Sequence, residues 1–191
     1  MITKIELRNL LNKLDNAVDK FIVAGLFYGL NESDNREQLL SIKSASVDLE
    51  NSTLTLPNGR VVVMDQLLKK ITVEAMAQKV YRKMGTIAKT TNEDYEFNPA
   101  SEYIIKVRPT ARNNNGTEPL TNAGFKTRIR AISEFLVGDT SLTPNILKTS
   151  GAFSLLQEKN KSWTVREAEA FLKENGLSLR RNNLMELLKK L

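Results

Sequence analysis

Apolar residues recur along this chain with a helical period in most segments and a strand period in one. Ile5, Leu7, Leu10, Leu11 and Leu14 form a stripe behind Thr3, which can cap a first helix. Asp15 or Asn16 can open the next, carrying Val18, Phe21, Ile22, Leu26, Phe27 and Leu30. That helix is apolar on most faces, so it should run through the core. After the polar break Asn31-Glu32-Ser33-Asp34-Asn35 comes a short helix with Leu39, Leu40 and Ile42.

The strand signal is local. Thr53–Leu56 and Arg60–Val63 are β-branched runs around Pro57-Asn58-Gly59, where Asn and Gly both accept positive φ, and they predict a hairpin. Helices are predicted at about Asp65–Lys70 and Val73–Lys83, and a strand at Tyr103–Arg108 that Pro109 ends. Arg112-Asn113-Asn114-Asn115-Gly116 has loop composition. Thr121 then caps a helix whose Phe125, Ile129, Ile132 and Leu136 face inward and which Gly138 ends. Thr143-Pro144 is an N-cap followed by proline at the first helical position. Two further helices, at about Thr164–Glu174 and Ser178–Lys190, are separated by Gly176. The last carries Leu184, Leu187, Leu188 and Leu191 as an apolar stripe, and Trp163 reads as core. The fold class is therefore mainly α with a small antiparallel β-sheet (α+β), in a single domain spanning 1–191.

Composition narrows the chemistry. The chain has no His and no Cys, so Ser-His and Cys-His nucleophile pairs and the usual zinc ligand sets are excluded. No Gly-rich phosphate loop is present, and neither cofactor nor metal is expected. The longest apolar stretch, Phe21–Leu30, is about half of what a bilayer span needs, and a cytoplasmic location is expected.

Charge is uneven. Of the net +6, residues 1–95 contribute +1 and residues 96–191 contribute +5. Tyr103–Arg130 alone holds Lys106, Arg108, Arg112, Lys126, Arg128 and Arg130 against the single acid Glu118. Such clustering suits a nucleic-acid footprint, or simply a solvated basic face. Lys126 and Arg130 lie i and i+4 apart on a face other than the apolar stripe. Lys106, Arg108 and Arg112 flank a loop and could follow a DNA backbone as a flexible arm. Arg180 and Arg181, with Lys189 and Lys190, leave three readings open: a homodimer contact, a DNA contact or a solvated face.

The order of these segments resembles the catalytic domain of the tyrosine recombinase (phage integrase) family. FIVAGLFYGL at 21–30 is similar to the helix that ends in the family's TGLR turn, and Leu39–Lys43 with Val47-Asp48 to its ELLxLkwxDid segment. TLTLPNGRVVV resembles the family's small sheet, and the stretch from Tyr103 to Ile132 resembles the region before its HxxR helix. LTPNILKTSGAFSLL at 142–156 has the shape of that helix. The resemblance covers nearly the whole chain and lacks the family's N-terminal DNA-clamping domain.

What the resemblance implies about the site is specific. The family grips a phosphate with two arginines, a lysine and a general acid, and attacks it with a tyrosine. Here the first arginine position falls in Asn31–Arg36, at Asn35 with Arg36 adjacent, and Arg60 matches the hairpin cation. HxxR reads Asn145-x-x-Lys148, the later His/Trp position falls near Asn175, and the tyrosine position near Leu184. The last tyrosine of the chain is Tyr103. The resemblance thus implies a scaffold that binds double-stranded DNA without cutting it, as integrase-like repressors of temperate phages do. The alternatives are a recombinase subunit using a nucleophile supplied elsewhere, and a protein–protein adaptor.

Overall fold

The computed structural model describes residues 1–31, 37–83 and 93–191. Helix α1 (Lys4–Asn12) starts at Thr3, whose hydroxyl accepts from the Glu6 N–H while Glu6 accepts from the Thr3 N–H. Leu7, Leu11 and Leu14 share its buried face. Ile5 does not: two residues before Leu7, it points the other way and is 75% exposed.

Helix α2 (Ala17–Phe27) runs through the core as its pattern demands, with every residue except Lys20 buried. Asn16 precedes it without capping it. Its amide is fully buried, donating to the Arg82 carbonyl and accepting from the Arg82 N–H and from Gln78. Gln78 Oε1 instead accepts the Val18 N–H.

Helix α3 (Glu37–Leu40) is a single turn, and Ile42 is buried just beyond it. Strands β1 (Val47–Asp48), β2 (Thr53–Thr55) and β3 (Val61–Val63) form an antiparallel sheet in that order. The β2–β3 hairpin turns with Gly59 alone at positive φ (+85°); Asn58 is not left-handed and instead accepts the Arg60 N–H.

Where two helices are predicted between 65 and 83 there is one, α4 (Gln66–Ala77), capped by Asp65. Thr72 is a poor helix former, but its hydroxyl bonds back to the Leu68 carbonyl at 2.8 Å and the helix continues through it. Strands β4 (Val80–Tyr81) and β5 (Tyr95–Glu96) follow as a second, two-stranded sheet. The predicted strand at 103–108 is also corrected. The segment is buried from Ile104 to Val107, but among the described residues it pairs with extended chain only through the Lys43–Tyr103 bridge, too little to build a ladder.

Helices α5 (Asn122–Val137), α6 (Pro144–Glu158), α7 (Val165–Glu174) and α8 (Arg181–Leu188) complete the chain. Thr121, Thr143 and Thr164 cap the first three, and Gly138 ends α5 at φ +82°. The main core gathers α1 to α5 and the start of α6. A smaller one joins the far half of α6 to α7 and α8 through Ala152, Leu156, Ala168, Leu172, Leu184 and Leu187. Helix α6 therefore belongs to both. It crosses α2 at Gly151, where a Cβ would lie 1.8 Å from the Phe27 carbonyl oxygen, so only glycine fits. Among the described residues, no helix is long and apolar enough to cross a membrane.

Candidate nucleic-acid interface

Three segments distant in sequence meet behind the hairpin: the end of α2, Arg60, and the turn between α7 and α8. Gly29, at φ +68°, brings its backbone against that turn; a Cβ there would lie 2.4 Å from the Asn175 carbonyl oxygen. Gly176, at φ +71°, is held as closely, with a Cβ position 2.2 Å from the Gly29 oxygen. Arg60 is half-buried beside them and donates from Nη2 to the Gly29 carbonyl. These are the positions that the recombinase resemblance assigns to the first arginine's turn, the hairpin cation and the late His/Trp residue. Two residues beyond Gly29, Asn31 is 4% exposed, and its Oδ1 has no hydrogen-bond partner among the described residues. Arg36 lies outside the described residues.

Helix α6 reaches this neighbourhood at Gly151 and Leu155; its N-terminus, where the Thr143 hydroxyl accepts the Ile146 N–H at 3.3 Å, lies instead beside α1 and α5. Asn145 is exposed there, free to meet a ligand. Lys148, three residues on, is sunk to 9% exposure. The two halves of the degraded HxxR pair thus differ: one faces solvent and the other is largely packed away.

The basic cluster of 103–130 divides in the same manner. Lys106 is not an arm residue. Its ammonium donates to the carbonyls of Ala75, Met76 and Gln78, closing the C-terminus of α4, and burial holds its pKa below the usual lysine range. Arg128 is 7% exposed and faces Asp19 of α2, Nε to Oδ1 3.7 Å. Its guanidinium also donates to the Lys106 carbonyl and the Tyr95 hydroxyl, each at 3.3 Å, and lies 5.1 Å over the Tyr81 ring. Tyr81 in turn donates to Asp19 at 2.8 Å and stacks on Tyr95. Burial pushes the Asp19 carboxyl above the ordinary range against the opposing pull of Arg128 and Tyr81. Two of the six cations in the sequence cluster are therefore structural.

The remaining four are at the surface. Arg108 pairs with Glu93 at 3.0 Å and covers the Tyr95 ring. Lys126 and Arg130 project from the outer face of α5, where Arg130 meets Glu134 at 3.0 Å. Arg112 stands in a cleft of about 930 Å³ between Leu40 and Ser41 on one side and the first residues of α5 on the other. The loop carrying it is well bonded: the Asn113 amide accepts from the N–H groups of Thr110 and Gly116 and donates to the Arg108 carbonyl.

Arg180 and Arg181 are exposed at the start of α8. No side chain caps this helix and no acid sits in its first turn, so both cations face the positive end of the helix dipole. That arrangement does not favour the helix, and an anion placed between them would relieve it. Residue types alone gave no sign of the burial of Lys106, Arg128 and Lys148, whose surroundings come from elements far along the chain.

The family described as "MrpR, C-terminal catalytic domain" matches residues 1–176. No curated protein matches the chain. Among solved structures, a crystal structure of XerA recombinase superposes with a TM-score of 0.56 at 16% identity. The match covers 99% of this chain and 64% of that one, so the chain spans less than two thirds of the recombinase's length. The fold, mostly helical with small antiparallel sheets, is that of a tyrosine recombinase catalytic domain, and by the extent of its family match the chain belongs to the MrpR C-terminal catalytic domain family.

Proposed function

We propose that this chain is a sequence-specific DNA-binding regulator, a repressor of the kind known from SPbeta-type prophages, built on a recombinase scaffold that does not cleave. The observation that carries the reading is the C-terminal region itself. No tyrosine follows Tyr103, and Leu184, at the position resembling the nucleophile's, is 1% exposed inside the small core. Strand cleavage in this family's manner needs a tyrosine hydroxyl at the scissile phosphate. What remains is a surface of Arg112, Lys126, Arg130, Asn145, Arg180 and Arg181, with charges that neutralise phosphates and an amide that can read a base edge. The protein acts in this reading on double-stranded DNA in the cytoplasm of a bacterial host, as a monomer or a homodimer.

A mobility-shift titration with host and prophage DNA, repeated across salt concentrations, tests the reading. The expected result is a preferred duplex whose affinity falls steeply with salt. The absence of salt-sensitive binding overturns it. Incubation with a nicked suicide substrate should trap no covalent adduct, and an adduct would restore the enzyme reading.

A further inference from the structure

The three-stranded sheet ends in an edge with which no other strand pairs among the described residues. In the antiparallel β2–β3 pair the Leu56 N–H donates to the Arg60 carbonyl and the Met64 N–H to the Ser52 carbonyl, with Val62 opposite Leu54 between them. Hydrogen-bonded positions alternate along such a pair, so Val61 and Val63 turn their N–H and C=O groups away from β2. No hydrogen bond within the described residues reaches either of them. Their side chains are 58% and 77% exposed. Natural edge strands are blunted by brevity, charge, proline or a covering element; β3 is short, but Val61-Val62-Val63 carries neither charge nor proline.

A cleft of about 340 Å³ runs alongside this edge, lined by Val61, Val62 and Val63 and floored by Phe27, Leu155 and Leu177. Its charge is opposite to that of the chain. Asp65, Glu158 and Glu174 face it against Lys4 and Arg60. Lys4 is held by both Asp65 at 3.0 Å and Glu158 at 2.9 Å, Arg60 is turned onto the Gly29 carbonyl, and Glu174 has no partner among the described residues.

We infer that the β3 edge is a docking site for an extended peptide segment of a partner protein, added as a fourth strand, with a Lys or Arg side chain entering the cleft toward Glu174. Main-chain bonds to Val61 and Val63 hold such a strand, and the acidic excess of the cleft selects its alternate side chains. A second copy of this chain is a poorer occupant. Three edge residues pairing with three others bury far less than the roughly 1,200 Å² of a stable dimer, and that pairing leaves the cleft unused. Duplex DNA is a poorer occupant too, since Glu174 on the cleft wall disfavours a phosphate there.

The probe is a synthetic peptide, acetyl-Thr-Val-Lys-Val-Lys-Val-Thr-amide, with a Glu-for-Lys version and a version N-methylated at alternate residues. The whole chain is titrated with each while its amide NMR signals are followed. The Lys peptide is expected to shift Val61 and Val63 and to bind at least tenfold more tightly than the other two. Glu174→Gln should reduce the preference for Lys over Glu by several-fold and leave the strand-like shifts in place. Equal binding of the N-methylated peptide, or no shift at β3 with the Lys peptide at saturation of its solubility, overturns the inference. So does protection of Val61 and Val63 by self-association or by duplex DNA in the absence of peptide. The cleft shares Arg60 and Asn175 with the neighbourhood of the hairpin cation, but none of Arg112, Lys126, Arg130, Asn145, Arg180 and Arg181 lines it, so a failed peptide titration leaves the mobility-shift result standing.

Discussion

The inner and outer faces of α5 carry the same residue types to opposite ends. Arg128 and its neighbours Asp19, Tyr81, Tyr95 and Lys106 make a closed junction of α2, α5 and the β4–β5 hairpin, with its charges matched inside the protein. Lys126 and Arg130, two residues to either side of Arg128, look outward with only Glu134 beside Arg130. A cation inside holds elements together and costs a great deal when its partner is removed; a cation outside costs little and remains available to a phosphate. The total of positive charge therefore overstates what is available to the proposed DNA contact, and the cations facing water are the ones that count.

The sharpest way to break this contrast is at the junction. Asp19→Ala strands the Arg128 guanidinium in the core and should destabilise the fold by about 3–5 kcal/mol in urea denaturation. Asp19→Leu with Arg128→Met removes both charges and should recover most of that loss. If the single mutants are as stable as the parent, the junction is not the structural half of the comparison. A comparable but smaller effect is expected at the crossing of α6 and α2. Gly151→Ala places a Cβ into the Phe27 carbonyl and should cost roughly 1–3 kcal/mol by forcing the helices apart.

The outer half of the comparison is tested by affinity. Asn145→Ala should weaken binding by about 1–3 kcal/mol at the preferred duplex, and little elsewhere, if its amide reads a base. Lys148→Ala, at a residue 9% exposed, should register in urea as well as in the mobility shift, unlike an exposed phosphate contact. Lys126→Ala should leave stability within about 0.5 kcal/mol, lower affinity for all sequences alike, and reduce the salt slope by about one unit. The smallest effect is expected from pH at Asp65. Burial pushes its carboxyl up, but the Leu68 N–H, Tyr28 and Lys4 together outweigh that and leave it below the ordinary range. Its stabilisation is thus complete above the unfolded value of about 4 and is lost as pH falls through the lower folded value. Asp65→Asn should flatten this part of the acid limb of the stability curve, with Lys4 and Tyr28 losing their shared acceptor.

Much of the fold was legible because its signals are local. Thr3, Thr121, Thr143 and Thr164 cap helices where they stand, Gly59 turns the hairpin, and the apolar run of α2 is central. The errors have two causes. The break placed at 71–72 was a local misreading, since the Thr72 hydroxyl bonds back to the Leu68 carbonyl one turn earlier and the helix runs on. The others turn on partners remote in sequence: 103–108 looked like a strand but, among the described residues, found only the bridge to Lys43. Burial of Arg128 depends on Asp19, 109 positions earlier, and burial of Lys106 on carbonyls at the end of α4, so neither could be separated from the surface cations by residue type. The convergence of Gly29, Arg60 and Gly176 was readable only through the resemblance, which places their segments at one site; periodicity and charge do not join them.

The attachment of α1 to α6 sets an order of events in time. The Ile2 N–H is bound to the Ser150 hydroxyl at 2.8 Å, and the Lys4 ammonium to Glu158. A growing chain must therefore carry its first helix without this dock until about 150 further residues have been made. At roughly 5–20 residues per second that is a wait on the order of ten seconds, during which α1 lacks its bonds to Ser150 and Glu158. Contacts of such long range slow folding, because the loop between their ends must be closed before they form.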